Sequence, residues 1–301
     1  MNVKKELLTK FNKSISNFTN LSNYSWFNLG GPAEFFFKPK NKDQLIDFLK
    51  ENLKYKLNVT ILGAGSNVLI RDNGIKGVVI KLGSGFSNIN LIDKETILAG
   101  AASLDRKVSN FAKDHGIGNF EFLSCIPGSI GGAVVMNSGC YDYDISKVLL
   151  SINVIDINEA KEKEIKSDQI KFSYRGTNLP NGLIITSVKL KGSKTPKEII
   201  EKKQNNFIRK KKLSQPSQIK TCGSTFKNFS KEKKAWQLIK ECGCDKFSEG
   251  DAIISKTHCN FFVNNGNANS ADIEKLINKV KKTVSDKTGV NLELEIKIIG
   301  E

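Results

Sequence analysis

Arg175 is one of four arginines in a chain that carries 47 lysine and arginine residues. It directly follows Tyr174, in the segment FSYRGT at residues 172–177. A guanidinium is a planar fork that holds both oxygens of a carboxylate, whereas a lysine ammonium is a mobile point charge. In a chain that otherwise relies on lysine, this arginine indicates a two-point grip on a carboxylate. A surface salt bridge is the alternative explanation.

Two glycine-rich loops predict that backbone amides approach a ligand closely. The first loop is GAGSN at residues 63–67, and the second is PGSIGGA at residues 127–133. Glycine permits close backbone approach and positive φ, and successive N–H groups can form a nest for a phosphate. Two such loops indicate a long, phosphate-bearing cofactor, with close-packed turns as the alternative. The first loop is not the dinucleotide fingerprint, because Val68 stands where the third glycine should be.

The elements that must position these residues are short strands and a few amphipathic helices. Apolar residues at helical spacing predict helices at 41–53, 103–116, 196–212 and 270–289. Asn41 or Asp43 is the predicted cap of the first helix, and Ser270 that of the last. Short β-branched or alternating runs predict strands, among them 151–157, 183–192 and 291–300.

The order of these elements indicates the fold class, and a change of composition indicates the division into domains. The steady strand–helix alternation of a doubly wound parallel sheet is missing, so we expect an α+β protein. The composition changes near residues 191–200. We therefore predict two domains, residues 1–194 and 195–301, with the boundary in that stretch.

The net charge of +16 is compatible with nucleic-acid binding. The lysines are scattered, however, and often lie beside Asn, Asp or Glu, whereas nucleic-acid binders concentrate charge on one face. A solvated, lysine-rich surface is the favoured explanation. No nucleic-acid partner is expected.

Cysteine usage and hydropathy predict the compartment. The six cysteines are irregularly spaced and only two histidines are present, so we expect free thiols in a reducing cytoplasm and no metal site. No run approaches the ~20 apolar residues that a membrane helix needs. The N-terminal segment also lacks the apolar core of a secretory signal. A cytoplasmic protein without a membrane partner is therefore expected.

Seven motifs follow one another along the chain: NLGGPAEFF, ILGAGSNVLIRD, IPGSIGGAVVMNSGCY, SYRGT, CGSTFKN, SKTHCNFFVNNGNA and LELEIKIIG. Together they closely resemble the UDP-N-acetylenolpyruvoylglucosamine reductase family, over roughly residues 19–300. The resemblance implies a vanillyl-alcohol-oxidase-type (PCMH) FAD-binding module of two subdomains, followed by an α+β substrate domain. The short stretch after Arg175 indicates the class without the inserted tyrosine loop.

That family makes UDP-N-acetylmuramate for bacterial peptidoglycan. The resemblance implies a flavoenzyme with non-covalent FAD and with NADPH as electron donor, acting on UDP-N-acetylglucosamine enolpyruvate. Hydride from flavin N5 would reach the terminal carbon of the enolpyruvyl group, and charge would spread into the carboxylate as an enolate. A monomer is expected. The choice between NADPH and NADH is left open by the sequence.

The resemblance assigns the chemistry to Arg175, Ser224 and Glu295. Arg175 would hold the carboxylate, Ser224 would donate the proton, and Glu295 would assist the enolate. The reaction needs fixed donors at the carboxylate and a proton donor on the correct face. For Glu295 the strand pattern alone predicts an exposed position, because Leu294 and Ile296 share the other face. For Ser224 an ordinary turn residue is the alternative.

The resemblance also assigns residues to binding. The predicted FAD contacts are Gly63, Ala64, Gly65, Ser66, Asn67, Pro127, Gly128, Ser129, Gly131, Gly132 and Ala133. The predicted substrate contacts are Tyr174, Lys227, Asn228 and, as a weaker candidate, Asn264. A branched side chain at Gly131 is expected to abolish flavin retention. His258 is expected to be a structural hydrogen-bonding residue.

Three positions depart from the family pattern. Cys125 stands where glycine is common, Phe229 where proline is common, and Lys297 where arginine is frequent. None is assigned to chemistry, but Cys125 lies beside the second glycine loop. Two other hypotheses are a flavin oxidase that shares only the FAD module and a basic nucleic-acid binder. The motifs CGSTFKN and LELEIKIIG argue against the oxidase, and a yellow protein would exclude the nucleic-acid binder.

Overall fold

The computed structural model describes residues 3–230 and 232–301, which form a mixed α and β protein. Helices α1 to α7 of this part are Val3–Lys10, Lys42–Tyr55, Asp105–Asp114, Ile130–Val135, Lys197–Ser214, Ala235–Glu241 and Ser270–Thr288. None of these helices has the length and apolarity needed to cross a membrane. Strands β1 to β20 are Ile15–Asn20, Pro32–Phe37, Val59–Ile61, Val68–Ile70, Ile75–Ile80, Ile89–Leu91, Thr96–Gly100, Ile117–Gly118, Gly139–Cys140, Tyr143–Asp144, Leu149–Asp156, Lys161–Lys166, Phe172–Ser173, Gly176–Thr177, Leu183–Lys191, Ser193–Lys194, Ser248–Glu249, Ala252–Ile254, Phe262–Asn264 and Lys297–Ile299.

Side-chain caps explain where two of the predicted helices begin. At α2 the Asn41 side chain accepts a hydrogen bond from the Gln44 N–H (2.9 Å), so the cap is the first of the two candidates, Asn41 and Asp43, that the sequence offers. At α7 the predicted cap, Ser270, is wrong by one residue. The cap is Asn269, which accepts from the Asp272 N–H (2.8 Å) and donates its own N–H to the Asp272 carboxylate (3.0 Å). This reciprocal capping box pairs two N–H groups that the helix itself leaves open.

The chain divides into two compact units. Unit 1 comprises the residues up to Asn17 together with Phe35–Ala64 and Gly77–Lys211. Unit 2 comprises Phe18–Glu34, Gly65–Lys76 and Lys212–Glu301. The predicted boundary between residues 194 and 195 does not coincide with this division.

Packing and strand pairing within each unit explain the difference. Most of α5 belongs to unit 1, because the Gln204 side-chain amide donates to the Ser109 hydroxyl (2.7 Å) and Phe207 is buried in the core of that unit. Segment 65–76 belongs to unit 2, because β4 pairs in parallel with β20. A change of composition along the chain does not report either contact.

Unit 1 contains two hydrophobic cores. In one, the Phe37 and Phe48 rings stack with centroids 4.2 Å apart, and Phe11 meets Phe37 edge-on at 5.6 Å. The other is built from α3, α4 and an antiparallel five-stranded sheet in the order β12-β11-β15-β7-β6. An FAD-binding module of two subdomains, as the resemblance implies, would have one hydrophobic core in each subdomain.

Unit 2 is organised around α7 and the three-stranded sheet β17-β18-β19. The predicted apolar stripe of α7 is buried: Ile273, Leu276, Ile277, Val280 and Val284. The Arg71 guanidinium holds the carboxylate of Glu274 on this helix in two-point fashion (2.7 and 2.9 Å). This ion pair fastens segment 65–76 to the helix.

Candidate functional site

The second glycine loop begins as an extended segment and continues into the short helix α4. The N–H groups in the middle of the loop are held by the segment after β7, because Ile130 donates to the Ser103 carbonyl (2.9 Å) and Gly131 to the Ala101 carbonyl (3.0 Å). Gly131 is buried, and a Cβ there would lie 2.9 Å from the Ala101 Cβ. Glycine is therefore required at 131 by packing inside unit 1. The expected loss of flavin from a branched residue at 131 has this physical cause, not a blocked ligand surface.

The Ser129 hydroxyl marks the place where the two glycine loops meet within unit 1. A Cβ on Gly63 would lie 3.0 Å from the Ser129 Oγ, and a Cβ on Gly132 would lie 3.5 Å from it. Both glycines are exposed, whereas Ser129 is buried. The backbone at Gly63 and at Gly132 therefore lies close to Ser129, although the two loops are far apart in the sequence, and no glycine side chain covers it.

This stretch of backbone fits a phosphate-bearing cofactor such as FAD. Within the described part of the chain, no backbone acceptor outside the helices and strands receives the N–H groups of Gly63, Gly128 or Ser129. Open N–H groups beside glycines form the kind of concavity that binds phosphate oxygens. The donor set therefore agrees with the predicted FAD contacts in both loops.

Lys81 is a residue at this place that the sequence analysis missed. Its ammonium donates a hydrogen bond to the Gly63 carbonyl. Burial and the neighbouring Lys38 lower the pKa of Lys81. The signal in the sequence is a lysine directly after the apolar strand β5, where a charged side chain is unusual.

Gly132→Val is expected to release flavin and to leave the fold intact. A Cβ at 132 meets nothing closer than the Ser129 Oγ, so the branched side chain would cover the open N–H groups. Flavin affinity should fall at least about tenfold, which corresponds to ~1.4 kcal/mol of binding free energy. The measurement is flavin absorbance of the purified protein, with FAD titration and thermal denaturation.

Gly131→Val, the matched variant, should instead cost about 1–3 kcal/mol of stability through overpacking against Ala101. Full flavin occupancy in Gly132→Val would contradict the placement of the cofactor at this face.

Tyr174 and Arg175 form the tip of the hairpin between β13 and β14. The Arg175 Nη2 donates to the Gly139 carbonyl (3.0 Å), and the guanidinium lies 5.0 Å from the centre of the Tyr174 ring. The Asn137 side-chain amide donates to the Ser173 carbonyl (3.1 Å). The hairpin is therefore fastened to the segment that follows the second glycine loop.

The backbone at Arg175 is strained. Its φ of +60° lies in the left-handed region, which residues other than glycine rarely adopt. Such strain persists only where the surrounding structure holds the residue in place, and it is concentrated at functional sites. The hairpin thus presents Arg175 and the half-exposed Tyr174 ring in one fixed arrangement.

In unit 2 the end of the first glycine loop lies beside Glu295. The Asn67 side-chain amide donates to the Glu295 carbonyl (3.0 Å), and the Asn67 carbonyl accepts from the Lys297 N–H (2.9 Å). Gly65 has a φ of +73°, and a Cβ there would lie 1.8 Å from the Tyr24 carbonyl oxygen. The turn that brings Asn67 to Glu295 therefore needs glycine at 65.

The segments that carry two of the predicted catalytic residues, Ser224 and Glu295, pair through their backbones in unit 2. The Glu295 N–H donates to the Thr225 carbonyl (2.8 Å), and the Lys227 N–H donates to the Glu293 carbonyl (2.8 Å). Ser224 thus lies one residue from the backbone partner of Glu295. Both Ser224 and Glu295 are half-buried.

The exposed position that the strand pattern predicts for Glu295 is therefore wrong. The regular strand β20 begins only at Lys297. Residues 293–295 instead pair with the chain at 225–227, where Phe226 and Leu294 form an isolated bridge. The alternation of side chains along a strand does not extend across this irregular segment.

Asn260 positions the Ser224 segment, and the sequence analysis did not identify it. Its side-chain amide donates to the Phe226 carbonyl (2.8 Å), its Oδ1 accepts from the Phe226 N–H (3.0 Å), and its carbonyl accepts from the Thr225 N–H (2.7 Å). An asparagine inside the apolar run CNFFV was the available signal.

His258 supports the segment that contains Asn260. Its Nδ1 accepts from the Asn260 N–H (3.2 Å), and its ring meets the Phe261 ring at 4.8 Å. Burial lowers the pKa of His258. These contacts agree with the structural, hydrogen-bonding histidine that the sequence predicts.

The remaining predicted substrate residues differ in their surroundings. The Lys227 Nζ lies 3.4 Å from the Glu293 carboxylate, and Asn228 accepts from the Ala235 N–H (3.1 Å) at the start of α6. Asn264 is buried, donates to the Phe27 carbonyl (3.0 Å) and accepts from the Gly266 N–H (3.0 Å). These bonds give Asn264 a structural task, and its contact with substrate stays a prediction.

Two family models match successive parts of the chain. Residues 33–163 match an FAD binding domain, and both glycine loops lie inside this match. Residues 215–299 match the C-terminal domain of UDP-N-acetylenolpyruvoylglucosamine reductase. Ser224, Asn260 and Glu295 lie inside this second match.

Proteins similar over nearly the whole chain carry the same description. The chain is 47% identical over 300 residues to UDP-N-acetylenolpyruvoylglucosamine reductase of Pelagibacter ubique (strain HTCC1062), covering 98% of this chain and 99% of the relative. It is 43% identical over 282 residues to the reductase of Rickettsia bellii (strain RML369-C), covering 94% and 92%. The crystal structure of the Thermus caldophilus reductase superposes with a TM-score of 0.82 at 31% identity, covering 94% of this chain and 98% of that one. The predicted fold class, an FAD-binding module followed by an α+β C-terminal domain, is confirmed.

Proposed function

The chain belongs to the UDP-N-acetylenolpyruvoylglucosamine reductase family of FAD-dependent oxidoreductases, and on that premise we propose that it reduces UDP-N-acetylglucosamine enolpyruvate to UDP-N-acetylmuramate. The observation that carries the proposal is the pairing of the Ser224 segment with that of Glu295 in unit 2. An oxidase that shares only the FAD module has no need of this C-terminal pairing.

FAD is held non-covalently by the two glycine loops, residues 63–67 and 127–133. The open N–H groups around Ser129 support this assignment, because they are placed to donate to phosphate oxygens. Hydride transfer to the terminal carbon of the enolpyruvyl group is the chemistry that FAD supplies when bound.

Arg175 holds the substrate carboxylate, with Tyr174 beside it. Negative charge grows on that carboxylate as hydride arrives, and a donor already in place stabilises it without reorganisation. The bond to Gly139 and the strained backbone at 175 support a fixed arginine of this kind.

Ser224 donates the proton to the carbon next to the carboxylate, and Glu295 assists the enolate. The backbone bond between Glu295 and Thr225 supports a shared task for the two side chains. Lys227 and Asn228 bind the substrate pyrophosphate, and Asn264 is the weaker candidate for a substrate contact.

NADPH is the electron donor in this proposal, and the protein acts as a monomer in the cytoplasm. The product enters peptidoglycan synthesis, and the enzyme thereby supports the cell wall, cell shape and division. No nucleic acid or membrane takes part.

The purified protein is expected to be yellow and to release all its flavin as intact FAD on acid precipitation. No His or Cys stands at an evident position for a covalent flavin link, so the supernatant should contain one FAD per chain by chromatography. The same preparation should oxidise NADPH continuously, beyond the single equivalent that reduces its flavin, when UDP-N-acetylglucosamine enolpyruvate is added. Flavin that stays in the pellet would contradict the non-covalent assignment. A colourless protein with bound nucleic acid would contradict the function itself.

A further inference from the structure

Hydrogen bonds fasten the hairpin of Arg175, residues 172–177, to residues 135–139 at the end of α4. Alternate residues of that segment take part, and the bonded pairs are Val135 with Thr177 (3.3 Å), Asn137 with Ser173 (3.1 Å) and Gly139 with Arg175 (3.0 Å). Val135 and Gly139 contribute backbone carbonyls, which any residue offers. Asn137 contributes its side chain, so the bond at Ser173 depends on the residue type.

The Asn137 side chain is buried, with 6% of its surface exposed, and uses both ends of its amide. Its Nδ2 donates to the Ser173 carbonyl, and its Oδ1 accepts from the Ser146 N–H (3.1 Å), just after β10. A buried amide with a partner at each end is held in one orientation, because leaving either end unpaired costs free energy. Asn137 thus joins the hairpin to a second segment of unit 1.

The backbone also fixes Asn137 relative to the second glycine loop. Its φ of +40° lies in the left-handed region, which glycine and asparagine adopt most readily after the end of a helix. The Asn137 N–H donates to the Val134 carbonyl (3.0 Å), and the Ser138 N–H donates to the Ala133 carbonyl (2.8 Å). Both carbonyls belong to α4, into which the second glycine loop continues.

We propose that Asn137 is the positioning residue that sets Arg175 relative to the second glycine loop. The inference rests on the proposed function, in which Arg175 holds the substrate carboxylate and the loop holds FAD. A grip on the carboxylate serves the reaction only if it stays at a fixed distance from the bound cofactor. The strained backbone of Arg175 needs bonds that hold it, and the Asn137 bond lies two residues before it.

Asn137→Gly tests the proposal, with Asn52→Ala as the matched control. Asn52 is equally buried in unit 1, with 5% exposed, and its amide donates to the Leu57 carbonyl (3.0 Å) and accepts from the Leu57 N–H (3.3 Å). Glycine adopts a φ of +40° without strain, and alanine suits helix α2, so each variant loses chiefly two side-chain bonds. Both should therefore lower the melting temperature by a similar amount.

Hydrogen exchange of the intact protein measures the fastening without any assay of activity. In Asn137→Gly the peptide that covers residues 172–177 should exchange about fivefold faster or more, because its hairpin has lost a hydrogen bond. In Asn52→Ala the same peptide should exchange at the native rate. A native exchange rate of this peptide in Asn137→Gly would overturn the proposal.

Turnover measures the consequence for Arg175. In Asn137→Gly, kcat with saturating enolpyruvyl substrate should fall about 10- to 100-fold, the effect of a misplaced catalytic group, and kcat/KM should fall with it. Flavin content and bleaching by NADPH should stay near native, and Asn52→Ala should keep native turnover. A native kcat in Asn137→Gly would overturn the inference alone. A native protein without reductase activity would contradict the proposed function, and the inference with it.

A double-mutant cycle separates positioning from a general loss of order. Once Arg175 is replaced by lysine, Asn137→Gly should lower kcat by no more than about twofold, because residues that act as a unit are not additive. An equal factor in the native and Arg175→Lys backgrounds would overturn the proposal.

Asn137→Asp is the second variant, for the case in which Asn137→Gly does not fold. Aspartate also tolerates the left-handed region and can still accept from Ser146, but its carboxylate cannot donate to the Ser173 carbonyl. It should show the same loss of kcat and the same faster exchange of residues 172–177. Native values of both in Asn137→Asp would overturn the proposal.

Discussion

Arg175→Lys is expected to lower turnover by about 10² or more while the protein keeps its flavin and its thermal stability. Lysine retains the positive charge, but it cannot offer two parallel N–H groups to one carboxylate. The loss should therefore appear in kcat with saturating enolpyruvyl substrate. Reduction of the flavin by NADPH, measured as bleaching of its colour, should proceed at nearly the native rate.

The alternative for Arg175 is a purely structural one, because its guanidinium already donates to the Gly139 carbonyl. If that bond is its whole task, Arg175→Gln should behave as well as Arg175→Lys, since a side-chain amide can also donate to a carbonyl. Arg106→Lys, in the exposed part of α3, is the matched control and should be silent. A native turnover for both Arg175→Lys and Arg175→Gln would show that the fork is not used.

Local patterns predicted the elements well where neighbours in sequence decide them. The apolar stripe of α7 and the Asn41 cap of α2 both depend on residues within one or two turns. The capping error at α7 arose because Ser270 and Asn269 are both good cap residues, and the bond that the Asn269 N–H donates to the Asp272 carboxylate favours Asn269.

Contacts between segments that are far apart in the sequence could not be predicted in this way. The parallel pairing of β4 with β20 assigns segment 65–76 to unit 2. The alternation of residues in either strand does not predict this pairing. The same holds at the site. Glu295 is half-buried because residues 293–295 pair with the chain near Thr225, a contact between segments about 70 residues apart in the printed sequence. Motifs taken together indicated that both segments matter, but only the fold shows that they touch.

Ser224→Ala is expected to slow reoxidation by the enolpyruvyl substrate by about 10²–10⁴, the usual contribution of a positioned general acid. Reduction by NADPH needs no proton from serine, so bleaching of the flavin should stay near the native rate. The backbone bonds around Ser224 do not involve its hydroxyl, so the pairing of Thr225 with Glu295 should survive the substitution. In deuterated water the native enzyme should place one solvent deuterium on the carbon next to the carboxylate.

Thr225→Val is the matched control for the loss of a hydroxyl at this place. The Thr225 Oγ1 is fully buried and, within the described residues, has no hydrogen-bond partner. Its removal should leave reoxidation unchanged and should not lower stability, because a buried polar atom without a partner is itself unfavourable. If Ser224→Ala and Thr225→Val both reoxidise at the native rate, Ser224 is an ordinary turn residue, and the proton comes from another group. If only Ser224→Ala is slow, the half-buried hydroxyl beside the Glu295 segment is the proton donor, because the two variants differ in which hydroxyl is removed and in little else.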